Sequence, residues 1–133
     1  MWADNVGNSK YLHSLYKDVP LLKDVEIKSI DITGGGHRVR FIFDMPRHAD
    51  FPPPKWGECN VTAVILDFVG VTKLSLDSIT NPYRGDIELI KNSEGYLEMS
   101  VKGTLNLAIV AGACQVQQVR GYSKWNIPDD HKL

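Results

Sequence analysis

The chain has 133 residues, with 15 basic and 16 acidic side chains and a formal net charge of -1. That length suits a single domain, residues 1–133, with one core, and the near balance of charge removes the strong positive field on which non-specific nucleic-acid binding depends. No apolar run reaches the ~20 residues of a membrane helix and the N-terminal stretch has no signal-like apolar core, so nucleic acid and membrane are not expected partners and a cytoplasmic location is expected.

In "NSKYLHSLYKD" Tyr11, Leu12, Leu15 and Tyr16 recur at helical spacing behind Asn8 or Ser9 as a cap, and Pro20 stops the run. One short N-terminal helix follows. From Lys23 onward the pattern changes to alternation punctuated by turn residues, as in antiparallel strands. Val25 and Ile27 share one phase and Ile30 and Ile32 the other, which predicts a bulge near Lys28 and Ser29. "TGGGHR" supplies a hairpin turn because glycine tolerates positive φ. Val39, Phe41, Phe43 and Met45 then form one strand face, with Arg38, Arg40 and Asp44 on the other.

Three consecutive prolines, Pro52 to Pro54, cannot donate ladder hydrogen bonds, so strand pairing must stop between Met45 and Glu58. The segment reads as a crossover whose two flanking rings, Phe51 and Trp56, anchor it over the open end of the core. "NVTAVILDFVGV" is apolar on both faces and predicts a central strand covered on each side by a second layer or the helix. "GDIELIKNSEGYLEMSVKG" predicts a hairpin turning at Asn92 to Gly95, with Leu97, Met99 and Val101 alternating against polar neighbours. In "ACQVQQVRGYSKW" the apolar phase slips between Val116 and Val119, which suits a bulged strand or a short helix; Val and Tyr favour the strand. The tail "PDDHKL" is expected to fray. Together these elements predict a mainly β (β-rich α+β) fold, a curved antiparallel sheet or two-layer β-sandwich with one short N-terminal helix closing an edge or end.

Motifs for chemistry are sparse. Cys59 and Cys114 lie far apart, unlike zinc-site pairs, and are expected to be free thiols. His13, His37, His48 and His131 show no ligand spacing, so neither a metal nor a cofactor is expected. A small-ligand or enzymatic β domain would have to bring His37, His48 and Asp50 together. Arg38 and Arg40 beside His37 suggest at most a small anion patch, because Asp44 shares their face.

The order of "VEIKSIDITGGGHRVRFIFDMP", "DFPPPKW", "VTAVILDFVGVTKLSLDSI" and a closing "VQQVRGYS" resembles the immunity protein 50 family, bacterial antitoxins of polymorphic toxin systems, over roughly Tyr11 to Tyr122. The resemblance implies a protein encoded beside a toxin that binds the cognate toxin domain and blocks it, with no catalytic residue of its own. For such a role the two long connections, 46–57 and 78–85, are the expected contact surface, and His48, Asp50, Trp56, Tyr83 and Arg84 are the candidate partner-binding residues.

Overall fold

Alternating side chains and turn residues deliver six antiparallel strands after one short helix, α1 (Lys10–Leu15). The structure, a computed structural model, describes residues 1–78 and 80–124. The strands are β1 (Val25–Thr33), β2 (Arg38–Asp44), β3 (Val61–Ser78), β4 (Arg84–Lys91), β5 (Leu97–Gly103) and β6 (Leu105–Tyr122). They close in the order β1-β2-β3-β6-β5-β4, so the curved sheet anticipated from the sequence is carried through to a barrel. Closure rests on two rungs, Val25 with Gly85 and Glu26 with Arg84, reinforced by the Ile27 amide on the Tyr83 carbonyl. Among the described residues no helix is long and apolar enough to cross a membrane. The tail "PDDHKL" lies outside them.

Bulges reconcile the slipped phases with one continuous core. In β1 the register shifts between Ile27 and Ser29, so Ile27 faces Phe43 while Ile30 faces Phe41. Both isoleucines therefore point inward. The last segment is strand throughout: Gln117 is the extra residue between Val116, opposite Leu66, and Gln118, opposite Ile65, which returns Val119 to the inner face against Val64. The triple glycine forms the β1–β2 turn, with Gly34, Gly35 and Gly36 all at positive φ.

β3 and β6 are long enough to serve two sheets. Their first shared half pairs β3 with β2, and their second pairs β6 with β5. Between these halves lies Gly70, whose φ of +63° is backbone that side-chain-bearing residues rarely adopt. β3 is a central strand buried on both faces over residues 62–68, as the sequence suggested, although its outer face lies outside the main core cluster. Its inner face (Val64, Leu66, Phe68) joins the core, whereas Ile65 on the outer face is sheltered by its in-register neighbours Ile42 and Gln118.

One end of the barrel is plugged by the N-terminal segment. Trp2, Val6, Leu12, Leu15, Tyr16 and Val19 are buried in the same cluster as the strands' inner faces. Trp2 meets Phe43 edge-on at 6.1 Å and donates its indole N–H to the Pro20 carbonyl. The helix thus closes an end, as predicted, and the crossover after β2 is fastened to it. The Phe51 amide donates to the Leu15 carbonyl, the Tyr16 hydroxyl to the Arg47 carbonyl, and the Arg47 guanidinium lies 5.0 Å from the Tyr16 ring.

Candidate functional site

The start of β1, the end of β2, the start of β3 and the chain after β6 meet at this plugged end, where they border a cleft of about 400 Å³. Its walls include Asp24, Glu26, Asp44, Arg47, His48, Arg84 and Lys124. A larger groove of about 490 Å³ runs along β4 between Leu21, Leu89 and Ile90. Charged groups of both signs line both, but the first also holds a buried carboxylate, Asp44, which makes it the stronger candidate for a recognition site.

The crossover places His48 and Trp56. Thr62 at the start of β3 is fully buried; its hydroxyl oxygen accepts the Ala49 amide and lies 2.9 Å from His48 Nδ1. His48 Nε2 is buried without a partner among the described residues. Trp56, in the short turn Pro54–Trp56, is half-buried with its ring centroid 6.0 Å from that of His48. It packs into the space left by Gly121, where a Cβ would fall 2.5 Å from Trp56 Cε3. Trp56 is therefore an anchor, as expected. Phe51 is not: it is 60% exposed, because the Phe51 main chain rather than its ring is tied to α1.

Of the candidate contact residues, the cleft brings His48 and Arg84 together. Arg84 donates to the Asp24 side chain and carbonyl. Asp50 lies outside the cleft lining, bound to the Arg47 guanidinium and the Lys17 amide, and both interactions hold its carboxyl below the usual range. Tyr83 turns to the Ser78 hydroxyl instead. The constellation of His37, His48 and Asp50 is not assembled. His37 precedes β2 and His48 follows it, and the seven residues of that strand span about 23 Å at roughly 3.3 Å each. Among the described residues no group of three or more His, Cys, Asp and Glu could hold a metal ion. The anion patch also fails, since Arg40 is bound bidentately to Asp67.

Sequence reading missed Asp44, Glu26, Tyr122 and Lys124. Asp44 was placed on the solvent face with Arg38 and Arg40, but it is 6% exposed. The physical reason is long-range. Tyr122, paired with Val61, reaches diagonally across β3 to donate its hydroxyl at 2.6 Å to Oδ2 of Asp44, which is paired with Ala63. Burial raises the Asp44 carboxyl above its ordinary range, against the lowering effect of that hydrogen bond. Burial and the nearby Asp44 carboxylate push the Tyr122 phenol upward. Glu26 behaves in the opposite way. Burial would raise it, but hydrogen bonds from Lys124 and Lys28 at 2.7 and 2.8 Å outweigh that effect and hold it at about 2.

Because the folded pKa of Glu26 lies below its ordinary 4.5, its contribution to stability is complete above pH 4.5 and is lost as pH falls towards 2. Both lysines are well exposed, so solvent screening limits the effect to about 1–2 kcal/mol. Urea unfolding at a series of pH values should show this loss in the wild type, and Glu26→Gln should flatten it in that window. An unchanged pH profile in the variant would remove Glu26 from the network.

The family model described as Immunity protein 50 matches residues 8–122. No curated protein matches the sequence. Among solved structures, an uncharacterized protein from Neisseria gonorrhoeae is similar, with 16% identity, a TM-score of 0.51 and coverage of 72% of this chain and 92% of that one. At that identity the likeness concerns the fold alone.

Proposed function

Since the chain belongs to the Immunity protein 50 family, we propose that it neutralises a cognate toxin domain by binding it stoichiometrically, without chemistry of its own, in the cytoplasm of the producing cell. The match over residues 8–122 carries this reading. The barrel supports it in physical terms. A stoichiometric inhibitor gains affinity by presenting a surface that does not have to be ordered on binding. Here the crossover, the stretch most at risk of being floppy, is fixed to α1 and β3 through Phe51, Tyr16, Arg47 and Thr62.

The contact surface is proposed to lie at the plugged end, with His48 and Arg84 at the cleft and Asp50, Trp56 and Tyr83 around it. A stable complex should bury about 1,200–2,000 Å² in total, with aromatic and arginine anchors near its centre. Co-production with the toxin domain encoded beside it tests the function. Growth should be restored when both are made. A toxin that kills equally well in the presence of the folded protein excludes the role.

A further inference from the structure

We infer that the cleft at Asp44 is a receptor for one guanidinium-bearing side chain, an arginine presented by the partner. The identity of that partner rests on the immunity reading; the site itself rests on how charges are distributed within the cleft. Arg84 is held by Asp24 at 3.1 Å, Arg47 by Asp50, and Lys23 approaches Asp86 at 3.8 Å. Lys28 and Lys124 both bind the same oxygen of Glu26. Each neighbouring cation is thus engaged nearer to some other carboxylate. Among the described residues the Asp44 side chain receives one hydrogen bond, from the Tyr122 hydroxyl to Oδ2, and its nearest cation, Lys124 Nζ, stands 3.9 Å away. Asp44 Oδ1 is buried with no hydrogen-bond partner among the described residues.

A carboxylate oxygen withdrawn from water and left without a donor is costly, and a side chain 6% exposed has little bulk water with which to recover the loss. A barrel selected for stability alone has a simple remedy in asparagine or a hydrophobic residue at this position. Retaining the carboxylate at the wall of an open cleft is the arrangement expected of a group whose missing donor arrives with a ligand. The donor must be cationic, since a charge-assisted bond compensates a buried carboxylate better than a neutral one. It is not a metal ion, because no cluster of three or more metal-ligating residues exists among the described residues.

Guanidinium suits the site better than ammonium. The resident ammonium of Lys124 is drawn to Glu26 and does not form a hydrogen bond to Asp44. A planar fork entering the cleft can donate to Oδ1 once the Asp44 side chain turns that oxygen towards it and still direct further N–H groups at the cleft wall, and guanidinium gives up its hydration more readily. Pro46 and Val61 also line the cleft and offer apolar contact to the stem of an arginine.

The test is a titration of the isotopically labelled protein with N-acetyl-arginine amide, followed by NMR, with N-acetyl-lysine amide and N-acetyl-glutamine amide in parallel. The arginine compound should give saturable shifts centred on Asp44, Tyr122 and Lys124, with the lysine compound at least tenfold weaker and the neutral amide inert. Asp44→Asn should abolish the shifts while keeping an acceptor for Tyr122, so the fold should survive; Tyr122→Phe, which frees Oδ2, should retain them. Absent shifts, equal shifts with the neutral amide, or unchanged shifts in Asp44→Asn would each overturn the inference. With the toxin domain itself, Asp44→Asn should weaken binding at least tenfold. Wild-type protein that takes the arginine compound but ignores the toxin removes the immunity reading and leaves the site standing; tight toxin binding unaffected by Asp44→Asn removes the site's role and leaves the function standing.

Discussion

Phe43→Ala should destabilise the protein by about 3–5 kcal/mol, the range for truncating a core aromatic ring. Phe43 is fully buried, lies 5.7 Å from Phe41 and takes the edge of Trp2 at 6.1 Å and 72°. Its loss therefore empties the place where the N-terminal plug meets the barrel. Little can collapse into the void, because the rings around it are held by the β1–β2–β3 ladder: Ile27 and Val64 are its in-register neighbours. Against a total of about 5–15 kcal/mol for a typical domain, this is a large fraction. Urea unfolding should show a lower midpoint with an unchanged slope. Phe51→Ala is the matched control: that ring is 60% exposed, and its removal should change stability by no more than about 0.5 kcal/mol. Equal losses in the two variants would contradict the assignment of the plug.

Gly103→Ala should be nearly as damaging, for a steric reason. A Cβ on Gly103 would fall 2.1 Å from the Arg84 carbonyl oxygen and 2.6 Å from the Gly85 Cα, and neither is a flexible side-chain tip. Relief requires β4 to move away from β5 at the same rungs, Gly85 and Arg84, that join β4 to β1 and close the barrel. Thr104, next in the chain, binds the same stretch by accepting the Arg84 amide on its hydroxyl. A cost of about 3 kcal/mol is expected, at the upper end for overpacking, with a fall of roughly 10 °C in Tm. Since Arg84 lines the cleft, toxin binding should weaken as well. Thermal melting decides it; a variant as stable as wild type would show that the Gly85–Gly103 contact is not tight.

Most of the strand pattern was legible because β2, β4, β5 and β6 mainly bury one face, so alternation records orientation directly. Even the phase slips at Lys28 and Gln117 carried information, since a bulge is the least disruptive way to keep Ile27 with Ile30, and Val116 with Val119, on one side of a strand. Closure was not legible. It depends on the pairing of Val25 and Glu26 with Gly85 and Arg84, which are far apart in sequence and have no local signature. The candidate site shows the same limit. Phe51 and Trp56 flank the prolines symmetrically, and the slot at Gly121 decides which ring becomes the anchor. Asp44 alternates like any solvent-facing strand residue, and only the reach of Tyr122 from β6 reveals it as buried.

On the proposed function, this barrel works by occupying another protein's surface. Calorimetric titration of the purified toxin domain with the intact protein, with toxin activity followed on the same samples, tests it most directly. A one-to-one complex is predicted, with activity falling in proportion to the bound fraction and vanishing at equivalence. Full toxin activity in the presence of saturating folded protein, or inhibition by far less than one equivalent as an enzyme would give, would contradict it.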